Sequence, residues 1–272
     1  MARRVAACHP LGVAAFTSQQ AFGIAAVALM VAATPAQADC EATIHSAPGR
    51  VAFEGCIDQQ SAQALIDVLE RQPSARLLVR SGGGAVNAAI EAATVMARQR
   101  TRLTIRGQCL SSCANYWLPA AASVDVEEGS VIGFHGDART TFQQDASLGS
   151  YGADAQRGMA RVLDQEVQFG REVQRASDLH AVQALRVSAI PVRVQLGGRW
   201  MNCPGLGLPA IWAPTLERLR AMGLVHRVVA RDEAFASTVP SGHDLHPMTA
   251  ANDDSDPAAG CSLDDPKRDR TP

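Results

Sequence analysis

The chain has 272 residues, 47% hydrophobic and 19% charged, with a formal net charge of −2 and aromatics at 4%. That hydrophobic content supports a buried core and excludes wholesale disorder, while the balanced charge and scarce aromatics argue against nucleic-acid binding. Of the 25 basic residues only Lys267 is a lysine, so Ser–Lys dyads, Schiff bases and Walker-type phosphate loops are excluded from the core. In chain order, the N-terminus reads as an export signal. Arg3 and Arg4 precede the apolar run Phe22 to Ala33, and Ala36-Gln37-Ala38 is a small-x-small cleavage site. The run rises about 18 Å as helix, short of a ~30 Å bilayer core. Residues 1–38 are therefore expected to be a signal peptide cleaved after Ala38. The mature chain is expected in the periplasm or secreted, with no stable membrane span. Residues 39–231 are expected to form one α/β domain, and residues 232–272, rich in Asp, Pro, Ser and His, a disordered polar tail.

Residues 50–57 alternate as a strand. Asp58 to Arg71 has helical spacing at Ala62, Leu65, Ile66 and Leu69, and Pro73 ends it. Leu77-Leu78-Val79 reads as a buried strand that runs into Ser81-Gly82-Gly83-Gly84. A helix is expected over 86–100 and a strand over 103–106. Gly107 to Cys113 then leads into a short helix through Leu118, and Val131 to Phe134 is a further strand closed by His135. The alternation is that of a βαβ series. A long helical stretch follows over 153–187, then a loop at Gly205 to Pro209, a short helix Thr215 to Met222 stopped by Gly223, and a strand over 224–230.

Two features carry chemistry. The glycine triplet between strand and helix permits close backbone approach, and its N–H groups suit a phosphate, an oxyanion or simply a tight turn. No GK[ST] follows and Asn87 breaks GxGxxG, so a nucleotide site is weakly supported. Ser111 and Ser112 stand at a strand-to-helix turn, where a serine acts as a nucleophile or as a helix cap. A nucleophilic serine needs a base. Of the seven histidines, His135 alone closes an apolar strand in the same series, which brings it to the same sheet edge.

With these residues in view the chain resembles the Clp protease proteolytic subunit and its crotonase-fold relatives. Arg80-Ser81-Gly82-Gly83-Gly84-Ala85-Val86 resembles the family's oxyanion loop, Gly107-Gln108-Cys109-Leu110-Ser111 its nucleophile turn, and Gly133-Phe134-His135 its histidine segment. It is also similar to exported bacterial Clp-like proteins with Gly-x-Cys-x-Ser-x-Cys followed by Gly-Phe-His. The resemblance spans roughly residues 50–230. It implies a ClpP/crotonase-like spiral of ββα units, with a mostly parallel sheet and flanking helices. It further implies Ser111 as nucleophile, His135 as base, Gly84 and Ser112 as oxyanion donors, a peptide or protein substrate, and self-association into a homo-oligomer. No cofactor or metal is implied. Gly82 and Gly136 depart from the family's proline and glutamine, and the family's orienting aspartate falls at Ile211, which is not an acid. The third member of a triad is left unassigned; Asp178, Asp164, Glu172 and Asp137 are spatial alternatives. The readings weighed are an exported serine hydrolase, a catalytically impaired envelope scaffold for binding or assembly, and a crotonase-type thioester enzyme.

Removal of the leader takes Cys8 and leaves Cys40, Cys56, Cys109, Cys113, Cys203 and Cys261, an even set in an oxidising compartment. The expected pairs are Cys40–Cys56, Cys109–Cys113 and, by elimination, Cys203–Cys261. No CxxC pair is present, so a zinc site is not expected.

Overall fold

The computed structural model describes residues 2–4, 41–138, 152–173, 192–196, 199–203, 211–231, 250–251 and 261–263. Strand β1 (Ala2–Arg4) lies inside the expected leader and pairs antiparallel with β2 (Ala42–Ala47). β2 in turn pairs antiparallel with β3 (Arg50–Ile57). From there the pattern is strand, helix, strand: α1 (Gln59–Arg71), β4 (Arg76–Gly84), α2 (Val86–Arg98) and β5 (Arg102–Leu110). The helical turn Cys113–Trp117 and the short α3 (Leu118–Ala120) follow, then β6 (Ser123–Glu127) and β7 (Val131–Gly133). Helix α4 spans Ala153–Glu172, β8 Val192–Leu196, β9 Arg199–Cys203, β10 Ile211–Trp212, α5 Leu216–Ala221 and β11 Arg227–Val229. Within the segment read as a polar tail, β12 (Ala250–Ala251) pairs with β10, and β13 (Ser262–Leu263) pairs with β9.

The main sheet runs β1-β2-β3-β4-β5-β6-β11, with β7 added on β5. Every pairing from β3 to β11 is parallel. This is the α/β architecture with a mostly parallel sheet and flanking helices that the strand–helix alternation predicts. Two rows of in-register residues face the helices: Val51, Leu77, Leu103 and Val124, then Phe53, Val79, Ile105 and Val126. Both rows lie in one buried core with Leu65 and Leu69 of α1 and Ala89 and Met96 of α2. Each such large aliphatic side chain contributes about 1.5–3 kcal/mol by leaving water.

Local chemistry sets the helix starts. Asp58 accepts the Ser61 N–H at 2.7 Å, and Ser61 Oγ accepts the Asp58 N–H at 2.9 Å, a reciprocal cap. Trp117 Nε1 donates to Ala89 O at 3.0 Å, and its ring meets Phe53 edge-on at 5.0 Å, which ties the serine-bearing turn to α2 and β3. The helix expected over 153–187 runs as far as Glu172; residues 174–187, the loop Gly205 to Pro209, residues 5–40 and most of the tail lie outside the described residues. Strands β2 and β6 were not anticipated. Both alternate buried with partly exposed or charged side chains, and β6 buries Asp125 and Glu127 under arginines.

Candidate active site

The site is assembled by a change of partner in β5. Over Arg102 to Ile105 that strand pairs with β6, and over Gln108 to Leu110 it pairs with β7. The turnover falls at Gly107, whose φ of +71° is a backbone state that glycine adopts without penalty. Its N–H donates to Ser130 Oγ at 2.9 Å. β7 therefore joins β5 only at its end, beside Ser111, and delivers His135 there.

Ser111 follows the last residue of β5 and has φ of +56°, left-handed backbone that a non-glycine residue occupies only under constraint. The constraint is visible: Ser111 N–H donates to Gly133 O at 2.9 Å, and Ser111 O accepts the Asn115 N–H at 2.8 Å. This is the sharp strand-to-helix turn that projects a serine hydroxyl. Ser111 Oγ lies 2.5 Å from His135 Nε2. The serine is 8% exposed and the histidine half-buried.

The glycine triplet packs directly against this turn. A Cβ on Gly83 would fall 2.6 Å from Ser111 Cβ and 2.9 Å from its Oγ, at φ +93°. A Cβ on Gly84 would meet Ile57 O at 1.9 Å. Gly84 O accepts from Ser112 Oγ at 2.7 Å, and Ala85 N–H donates to Ile57 O at 2.7 Å on the other side of the strand. The four residues expected together, Ser111, His135, Gly84 and Ser112, thus converge on one sheet edge.

The turn after Ser111 is wider than an α-helix, with Leu118 N–H donating to Cys113 O. The Cys109–Cys113 disulfide spans the serine, with Cα atoms 5.3 Å apart. Cys203–Cys261 is also formed, at a Cα separation of 4.1 Å. Cys56 is disulfide-bonded, and Cys40, its expected partner, lies outside the described residues.

The segment that follows His135 is held from two sides. Asn115 Nδ2 donates to Gly136 O at 2.6 Å. Ala138 N–H donates to Glu166 Oε1 at 3.1 Å, and the same oxygen accepts from Tyr116 at 2.5 Å. Burial, reinforced by the neighbouring Glu166 carboxylate, pushes the Tyr116 hydroxyl well above its ordinary value. Glu166 is buried within an otherwise largely solvent-facing α4 and was not among the expected acids. Its signal was positional: it lies four residues after Val162 and three before Phe169, on the helix's apolar stripe.

The spatial alternatives for a third member are distributed otherwise. Asp164 and Glu172 are exposed on α4, Asp137 is buried near Tyr116, and Asp178 lies outside the described residues. Ile211, the position at which the resemblance led to an expected aspartate, is buried in β10 and packs over Gly133. Next to it Trp212 exchanges both backbone hydrogen bonds with Phe134, at 2.7 and 2.8 Å. Among the described residues the His135 side chain makes one hydrogen bond, to Ser111. Among the described residues, too, no cluster of His, Cys, Asp or Glu could hold a metal, and no helix is long and apolar enough to cross a membrane.

No family model matches the chain, and no curated protein matches it. Among solved structures it is similar to a mutant of ClpP1 from Listeria monocytogenes, with 12% identity, a TM-score of 0.40, and coverage of 68% of this chain and 94% of that chain.

Proposed function

We propose that the protein is an exported serine hydrolase, a peptidase of Clp-like type, acting through a Ser–His acyl-enzyme. One observation carries the reading: Ser111 Oγ lies 2.5 Å from His135 Nε2 while Ser111 is held at φ +56°. In this mechanism His135 Nε2 takes the hydroxyl proton as Ser111 Oγ attacks the acyl carbonyl. The same nitrogen then returns the proton to the leaving amine, and a water repeats the sequence to free the acid. The developing oxyanion takes hydrogen bonds from Gly84 and Ser112. Gly84 stands beside that position, its carbonyl accepting from Ser112 Oγ. Ser112 opens a helical turn, where the first N–H groups have no partner within the helix. The leader pattern supports export, and disulfides at Cys109–Cys113 and Cys203–Cys261 are compatible with an oxidising compartment.

A fluorophosphonate probe is expected to label the wild-type protein at Ser111. Ser111→Ala abolishes labelling, and His135→Ala slows it by roughly 10³-fold or more. Undiminished labelling of Ser111→Ala removes the assignment.

A second reading is favoured by the His135 ring, which has no carboxylate partner among the described residues. Loss of an orienting acid costs roughly 10⁴ in turnover. On this reading the chain is a catalytically impaired scaffold for binding or assembly in the envelope. Cells in which Ser111→Ala and His135→Ala variants replace the wild type without consequence would favour it.

A further inference from the structure

The sheet face turned away from Ser111 and the helices carries an arrangement that the hydrolase reading does not use. Arg50, Arg76 and Arg102 are register partners on the adjacent parallel strands β3, β4 and β5. Partners on neighbouring strands stand about 4.8 Å apart with side chains on the same face. Like charges directly opposite one another are unfavourable. The next polar row resolves its charges internally: Arg80 pairs with Glu54 at 2.7 Å, and Arg106 chelates Glu127 with two bonds of 2.7 Å. Arg76 and Arg102 of the arginine row are matched less closely. Asp125 is taken in a two-pronged contact by Arg227 and reaches Arg76 at only 3.7 Å. Among the described residues Arg102 has no carboxylate partner, and it is exposed.

These side chains border a cavity of about 410 Å³, within the range of small-molecule sites. Leu78 and Thr104 also line it, both buried. Thr104 Oγ1 is buried without a hydrogen-bond partner, although the residue is 5% exposed. An orphaned buried hydroxyl in a polar cavity marks a place where a ligand acceptor completes the bonding. Among the described residues five arginines and two carboxylates, Asp125 and Glu127, line the cavity, an excess of three positive charges.

We propose that this cavity binds a small phosphate oligoanion of the diphosphate class. A tetrahedral phosphate offers oxygens to guanidinium groups on two strands at once, and two linked phosphates reach across three. The negative charge of such a group opposes the predominance of arginine in the lining. The cavity is concave and the whole chain carries a net charge of −2, so a duplex nucleic acid is disfavoured. The site is independent of Ser111.

The test is calorimetric titration of the full chain with inorganic diphosphate, against citrate at matched ionic strength. Diphosphate is expected to bind saturably and at least tenfold more tightly than citrate. Arg102→Gln weakens it about tenfold or more, the loss of a charge-assisted pair, with Ser111 labelling unchanged. Arg102→Lys, which keeps the charge but not the fork, falls between. Arg76→Gln repeats the measurement at a second position should Arg102→Gln fail to fold. No saturable binding, citrate binding as tightly as diphosphate, or affinity unchanged in the folded arginine variants would each overturn the proposal.

Discussion

Ser111 and Gly83 act as one unit, because the space a methyl group would need at residue 83 is already filled by the serine. Gly83→Ala must therefore move the serine turn or its own strand, at φ +93°. We expect a loss of about 1–3 kcal/mol in stability and at least tenfold slower probe labelling, measured by urea denaturation and labelling kinetics. Near-wild-type values in both would mean the close approach is dispensable. Tyr116 offers a pH signature. In the unfolded chain its phenol ionises near pH ~10, whereas burial and Glu166 keep it protonated when folded. Above that pH the unfolded state holds fewer protons, so stability falls as pH rises. Tyr116→Phe is expected to flatten this alkaline decline, while costing about 1–3 kcal/mol at neutral pH by depriving buried Glu166 of a donor. Parallel stability curves from about pH 9 to 11 for both proteins would assign the decline to other groups. The pairing of Ser111 with His135 was legible in the sequence because the serine stands at a strand-to-helix turn and the histidine closes an apolar strand of the same series. Glu166 was passed over because helical amphipathicity weighs hydrophobic residues, and a single carboxylate on the apolar stripe does not disturb the pattern.

At the scale of elements, β5 decides the geometry by taking β6 as neighbour first and β7 afterwards. The strand read from the sequence ended at Arg106, where Gly107 suggests a turn. The chain instead continues through that glycine, and the extension to Leu110 is what aligns Ser111 with Gly133. The Cys109–Cys113 bond then fixes the first turn beyond. By the chain-entropy argument so short a ring contributes about 2 kcal/mol, and its larger effect is on the serine's position. Cys109→Ser with Cys113→Ser, or mild reduction, is expected to slow Ser111 labelling about tenfold while the thermal transition is retained, since misplacement costs reactivity before it costs folding. Equal labelling rates with and without the bond would remove the idea. β6 escaped sequence reading for an electrostatic reason. Its alternate residues Asp125 and Glu127 read as solvent-exposed, yet both are buried beneath arginines from β4, β5 and β11.

At the scale of the whole molecule, the sheet has two chemically distinct faces. One is the apolar floor under α1 and α2; the other is a field of arginines with fewer acids. A composition of 24 arginines and one lysine fits such a face, since guanidinium groups form the planar pairs seen with Glu127 and Asp125. The alternation of strands and helices was legible because hydrophobic period reports which side is buried. What the polar side does was not, because it depends on register between strands distant in sequence. The C-terminal residues were least legible. Their polar composition suggests disorder, but Cys203–Cys261 closes a long loop, worth about 4 kcal/mol by the same entropy argument, and holds β13 on β9.

The paired backbone bonds between Phe134 and Trp212 have one more consequence. Trp212 belongs to the segment that β12 joins from the C-terminal side, and Phe134 immediately precedes the histidine. Each residue shields the other's amide hydrogen, so neither can exchange with solvent unless both are released. The C-terminal segment therefore braces the strand that carries the histidine, beside that strand's own pairing with β5.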